Sequence, residues 1–297
     1  MLVRHRIPLL QVLLISTIIS LLAIRFSHTA QDQVQMAGQI ETKVQAQLVA
    51  YSTYSEVIFL ELSDSIVTES KDDLAWSELL KKKGKINFYG APLVWSDAVT
   101  IEVQDLNGLL PQLFPQHFLW RKLLENRAVP EADIERYFGV WKDIQDADND
   151  VWYLGSKEPV SLPNGALYLN GYAQNDKILR WIFSDRPDLL VELLEFSDID
   201  ASYDTNFAHC PTTLLNAVFE PPVAKSIESL RAHSRVPLSE LSGLLPEDFV
   251  VNNLSVTRSN TFRLSTQVDI NGVRWQESRT IRLDVGAQPP FEHLLYN

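Results

Sequence analysis

QDQVQMAGQIETKVQAQLVAYSTYSEVIFLEL, residues 31–62, is the stretch on which the fold turns. Val44, Leu48, Tyr51, Ile58 and Leu62 recur at helical spacing, with Ser55 as the polar interruption. Upstream, IPLLQVLLISTIISLLAI (7–24) runs 18 residues without a charge. That length is borderline between a bilayer-spanning helix and the apolar core of a signal peptide. No proline lies between Leu9 and Ala91, and Gly38 is the only glycine before Gly84. The economical reading is a single helix from about Pro8 to about Ser63, roughly 80 Å long at ~1.5 Å per residue. Pro8 falls in its first turn, where proline is tolerated. Arg4 and Arg6 favour a cytoplasmic N-terminus, with the rest of the chain across the membrane. The competing reading is a signal peptide cut after SHTA (27–30), but His28 stands where such a site wants a small residue.

Beyond the helix the texture changes three times. SKDDLAWSELLKKKG (70–84) reads as a second helix, with Ser70 as cap, Asp73 completing a capping box and Gly84 as stop. INFYGA (86–91) and VTIEVQDL (99–106) read as strands. From about Pro111 to Glu247 the chain is predicted to form short helices, several opening on proline: PQHFLWRKLLENR, PEADIERYFGVWKDI, DRPDLLVELLEF, PPVAKSIESLRAHS and PLSELSGL. Strands return with FVVNNLSVTRS, TFRLSTQVDINGVRWQES and TIRLDV, and Asn271-Gly272 marks a hairpin turn. The fold class is therefore α+β: a long N-terminal transmembrane helix packed on an antiparallel sheet, with a large all-α domain inserted between two strands. The expected units are 1–63 (anchor and long helix), 64–110 with 247–297 (sheet) and 111–246 (helical insertion).

Charge and missing motifs narrow the function. The net charge is −12. Residues 1–25 contribute three arginines and no acid, so the remainder holds 23 basic against 38 acidic residues. That balance argues against nucleic-acid binding, which needs a basic face. The one basic cluster, KKKGK (81–85), fits a solvated helix end and turn. Cys210 is the only cysteine, which excludes an intramolecular disulfide or a Cys-based zinc site. No G-x-S-x-G, H-E-x-x-H, phosphate loop or G-x-G-x-x-G occurs. Adjacent His209 and Cys210 rarely orient each other for proton transfer, so a thiol hydrolase is a weak reading and enzyme activity has no support.

WKDIQDADNDVWYLGSKE (141–158) is the exception to this plainness. Asp143 and Asp146 are three apart at a predicted helix C-terminus, where the helix dipole disfavours carboxylates. A hard cation reverses that sign. Asp146-x-Asp148-x-Asp150 offers oxygens at the alternating positions calcium loops use. It is not an EF-hand: Val151 stands where the turn glycine belongs and Lys157 where the bidentate glutamate belongs, with Glu158 one place late. The alternative is a solvated acidic loop. Trp141 and Trp152 fit packing roles in the flanking segments.

Taken in order and spacing, VTIEVQDLNGLL, DIQDAD followed by GSKE, LPNGAL and SNTFRLSTQVDINGVRWQESRTIRLD resemble the minor pseudopilin K family of type II secretion, general secretion pathway protein K. The resemblance spans most of the chain. It implies a non-catalytic, single-pass inner-membrane subunit with a periplasmic C-terminal domain. It also implies a place at the tip of the secretion pseudopilus, with minor pseudopilins I and J as partners, serving protein export across the outer membrane. It implies calcium in the inserted domain at Asp143, Asp146 and Asp148, with Glu158 less directly matched; Asp150 joins them on spacing. Arg6 stands where the family carries a glycine for prepilin peptidase, Gln11 where most pseudopilins carry a glutamate, and AHCP (208–211) where the family has N-T-A-P. The alternative function is a soluble periplasmic calcium-binding protein released by signal peptidase.

Overall fold

The computed structural model describes residues 6–63, 81, 84, 86–113, 115, 117–145, 177–231, 236–246, 249, 254–284 and 286–294. α1 (Arg6–Leu62) is one uninterrupted helix of 57 residues, about 85 Å long at ~1.5 Å per residue. There follow β1 (Leu93–Ser96), β2 (Val99–Asp105), β3 (Leu110–Pro111), α2 (His117–Asn126), α3 (Glu131–Gln145), α4 (Lys177–Ile182), α5 (Pro187–Phe196) and β4 (Ser197–Asp198). Then come α6 (Thr212–Val218), α7 (Pro221–Leu230), α8 (Leu238–Leu244), β5 (Thr261–Ile270), β6 (Val273–Leu283) and β7 (Phe291–Leu294). The main sheet has the order β1-β2-β5-β6-β7 and is antiparallel throughout. The helical block interrupts it between β2 and β5, as the sequence predicts.

Alternation in the strands decides what α1 covers. Val99, Ile101 and Val103 of β2, Phe262, Leu264 and Val268 of β5, and Ile281 and Leu283 of β6 are buried with Ala46, Ala50, Tyr54, Val57 and Ile58 of α1. The register is held by the β5–β6 hairpin, whose ten cross-strand pairs close on Asn271-Gly272. Both turn residues have positive φ, 51° and 79°, the type I′ geometry that matches the twist of the strands. β7 is tied to the helix where the Tyr54 hydroxyl lies 2.7 Å from His293 Nδ1. A second core fills the helical block around Trp120, Trp141, Tyr137 and Phe183. Trp120 and Trp141 meet edge to face and donate their indole N–H groups, at 3.1 Å, to the carbonyls of Pro111 and Gln112. The chain leaving the sheet thus becomes the spine of the block.

The sheet is oriented along α1. Lys43 lies over the Trp275 ring near the hairpin turn, whereas Glu61 pairs with Arg258 at the other end. The passages to and from the helical block therefore gather at the C-terminal end of the rod.

Several expectations are corrected. INFYGA is not a strand. Asn87 brackets Ala91 through two hydrogen bonds and Gly90 takes φ 73°, so the segment loops and keeps only the Tyr89–Gln104 bridge. The described part of FVVNNLSVTRS leaves the sheet and pairs with the block instead, through a Thr205–Leu254 bridge. TIRLDV is no separate strand, since β6 continues through Leu283. β1, β7, α4 and α6 have no counterpart in the sequence reading, and the block holds one β element among the described residues, the parallel pair β3–β4. The second helix at 70–84 lies outside the described residues, save helical Lys81 and Gly84 in a turn, both exposed.

Ala50 is 1% exposed at the helix–sheet contact. Ala50→Leu forces an added isopropyl group into a closed interface, and overpacking of this kind costs about 1–3 kcal/mol. Thermal unfolding of the full chain in detergent should show a lowered midpoint, while Leu48→Ala on the opposite face leaves it in place.

Candidate functional site

α1 carries two apolar faces. One lies under the sheet and is lined by Ala46, Ala50 and Val57. The other points away: Ile40, Val44, Leu48, Tyr51 and Phe59 are 46–63% exposed, and Ser55 interrupts them. Of the stripe conspicuous in the sequence, Val44, Leu48 and Tyr51 lie on this outward face, whereas Ile58 and Leu62 pack against the core beneath the sheet. The small side chains at 46 and 50 let the helix approach the strands closely, so the larger ones fall on the opposite side. Upstream on the same helix lies Leu10–Phe26, whose apolar side chains are all exposed in a segment long and apolar enough to cross a membrane. Ile40 stands 14 residues past Phe26, about 20 Å along the axis, so the stripe extends well beyond any lipid around the first segment. An exposed apolar face of this extent, carried by Ile40, Val44, Leu48 and Tyr51, marks an interaction surface.

The second notable construction is the junction where the chain leaves and re-enters the sheet. Asp105 ends β2 fully buried. Its carboxylate accepts from the Asn107 amide (3.1 Å), the Ser259 hydroxyl (2.5 Å) and amide (3.3 Å), and His209 Nδ1 (2.6 Å). Residues 106–108 form a 3₁₀ turn capped by Asp105, and 207–209 a second one capped by Asn206. The two turns lie against each other: Asn206 N–H donates to the Asn107 carbonyl at 2.7 Å. Gly108 makes this contact possible, because a Cβ there would run into the His209 carbonyl oxygen. Asp105 and Gly108 are the fixed residues of the D-x-x-G segment in VTIEVQDLNGLL, and AHCP is the turn they meet. The motifs were visible in the sequence; their contact, and the parts played by Asn206 and Ser259, were not.

The acidic run is only partly in view. Asp143 is fully buried on the last turn of α3, where a carboxylate opposes the helix dipole. Asp146, Asp148, Asp150 and Glu158 lie outside the described residues, as does Trp152. Among the described residues no three His, Cys, Asp or Glu side chains come together as a metal site. As chemistry, an all-oxygen set of four aspartates and a glutamate fits a hard cation. The thiol reading loses ground on geometry. Cys210 is buried, its thiol donates to the Asn206 carbonyl, and burial pushes it up to about 12, opposite to what a nucleophile needs. His209 is committed to Asp105.

No protein-family profile matches this sequence, and no curated protein matches it. Among solved structures, a chain of the GspK–GspI–GspJ complex from the type 2 secretion system of enterotoxigenic Escherichia coli is similar, with a TM-score of 0.57 and 15% sequence identity. The likeness covers 86% of this chain and 96% of that one. At this identity it shows the fold: a GspK-like pseudopilin architecture of long apolar helix, antiparallel sheet and additional helices.

Gly108→Ala puts a methyl group against the His209 backbone of the block and the Gln104 side chain of β2 at once. It should destabilise by about 1–3 kcal/mol, read as a drop in the thermal midpoint. Gly243→Ala, where a Cβ meets open space, should be neutral or slightly stabilising.

Proposed function

We propose that this chain is a non-catalytic minor pseudopilin of the K type. In this reading it is anchored in the bacterial inner membrane by α1, with a cytoplasmic N-terminus and a periplasmic C-terminal domain. It acts at the tip of the type II secretion pseudopilus in protein export across the outer membrane, beside minor pseudopilins I and J. The observation that carries this reading is the outward stripe Ile40–Val44–Leu48–Tyr51, an apolar surface on the rod that the chain's own sheet leaves uncovered. A rod that shares such a stripe with neighbouring rods buries it, in the manner of ridges packed into grooves. The fold likeness to a GspK–GspI–GspJ complex supports the same partners. The position of the helical block supports the tip. Glu61 lies 35 residues beyond Phe26, about 52 Å from the end of the apolar segment, so the bulk sits at the membrane-distal end. The division into 1–63, 64–110 with 247–297, and 111–246 belongs to the same proposal.

Co-expression with I- and J-type pseudopilins tests it. Leu48→Glu should reduce their co-purification at least tenfold while leaving the thermal midpoint of the isolated chain unchanged. Full recovery of the partners by this variant would remove the stripe from the interface. A mature N-terminus at Gln31 would point instead to a released soluble protein.

Calcium is the second part of the proposal, held by Asp143, Asp146, Asp148, Asp150 and Glu158. The support is their all-oxygen chemistry and the burial of Asp143 at a helix end. When bound, the ion supplies positive charge that offsets the crowded carboxylates and the helix dipole. Calcium at a hundred times its dissociation constant should stabilise the chain by about 2.7 kcal/mol. A chelator should reverse the rise in thermal midpoint, and Asp148→Ala should abolish it. Equal midpoints with and without chelator would return the run to a solvated acidic loop.

A further inference from the structure

The buried apolar side chains fall into two large clusters, one beneath the sheet and one within the helical block, with only Leu106, Leu109 and Ala201 forming a small cluster of their own. Among the described residues, what lies between the two large cores is this small cluster, carried on the outgoing pass by Leu106 and Leu109, and a wider set of polar contacts. The outgoing strand ends at Asp105, the returning chain arrives at Ser259, and the block contributes His209; all three meet at one carboxylate. Around it, Gln104 donates to the His209 carbonyl at 3.0 Å, Asn206 Nδ2 to the Thr257 carbonyl at 3.3 Å, and Ser255 N–H to the Thr205 carbonyl at 3.2 Å. Toward the outer face of the sheet, Arg263 pairs with Asp198 and Arg282 with Asp200. On another side, Arg231 of the block lies over the Tyr89 ring. Arginine side chains are long enough to follow a rotation, and each of these hydrogen bonds has a water equivalent. An apolar core has none, so a polar seam between two cores is the place where a structure opens first.

We propose that the helical block is a hinged body, latched to the sheet by the Asp105–His209–Ser259 cluster. It opens about the two chain passes at 106–109 and 254–260 while both cores stay intact. This inference does not depend on the pseudopilin reading. It gives Asp105 a specific role, since its carboxylate joins the outgoing pass, the returning pass and the block at one point, with Asn206 bridging the same three segments beside it.

Hydrogen exchange read by mass spectrometry on the full chain in detergent micelles tests it. The seam segments are 105–109, 205–210 and 254–260, where the amides of Asn107, Leu109, Asn206, Ala208, Ser255 and Ser259 are hydrogen-bonded. They should share one exchange rate, at least tenfold faster than that of 99–104, 262–268 and 119–124 in the two cores. Ser259→Ala removes one donor to the latch and should speed all three seam segments by a common factor of about ten, since 1.4 kcal/mol is tenfold. Asp105→Asn should speed them further. Acceleration confined to 254–260 would mean local fraying, and equal acceleration of both cores would mean one cooperative body; either result overturns the hinge. Should Asp105→Asn fail to fold, the Ser259→Ala pattern decides alone.

Discussion

The apolar face of the sheet has one principal cover, and that cover is a single side of α1. Val99, Ile101, Val103, Phe262, Leu264, Val268 and Ile281 meet Ala46, Ala50, Tyr54, Val57 and Ile58. At ~25 cal/mol per Å² of apolar area, this contact is the main source of stability for the sheet. It also fixes the helix about its own axis. Ala46 and Ala50 must face the strands for the backbones to come close, and Lys43 over Trp275, Tyr54 at His293 and Glu61 at Arg258 hold the helix along its length. Once that rotation is set, Val44, Leu48 and Tyr51 can only point outward.

This explains which parts of the fold were legible in the sequence. The long helix was legible because nothing in residues 9–62 can break it and the apolar run is continuous. The hairpin was legible because Asn271-Gly272 is a local signal with a local cause, both residues taking positive φ. Proline-led helices such as α5 and α7 were legible for the same reason. The face of α1 under the sheet was not, because periodicity finds large apolar residues, whereas a close helix–sheet contact selects small ones. Residues 86–91 and 254–259 carry strand-like patterns, but side chains such as Asn87 and Ser255 bond the backbone a few residues on and redirect it, a competition that apolar alternation does not register. Of the candidate site, the acidic composition was plain, and Asp143 proves to be buried. The Asp105–His209–Ser259 cluster spans more than 150 residues of separation and leaves no periodic trace.

The junction also shows why a charge is placed where a core residue would seem simpler. Two chain passes and a turn of the block must cross within a few ångströms, and each brings backbone groups that need partners. Apolar side chains would leave those groups unsatisfied. A buried aspartate accepts from two amides, a hydroxyl and an imidazole at once, and the neighbouring glycine removes the side chain that would keep the turns apart. The D-x-x-G pattern is therefore a solution to crowding rather than to chemistry on a substrate, which accords with a Cys210 thiol pushed up by burial and a histidine engaged in the same cluster.

The exposed half of the helix presents the opposite problem. From Leu10 to Tyr51 exposed apolar side chains recur along one continuous helix, and the sheet, docked on its other side near the end, does not cover them. In the proposed reading lipid covers the first stretch, a segment long and apolar enough to lie in a membrane. It cannot solve the second, which begins about 20 Å farther along. Left bare in water, a stripe of this kind is an aggregation hazard. The proposed assembly resolves it by covering the stripe with neighbouring rods of the same construction, so that the surface unsuited to an isolated chain becomes the one that specifies its partners.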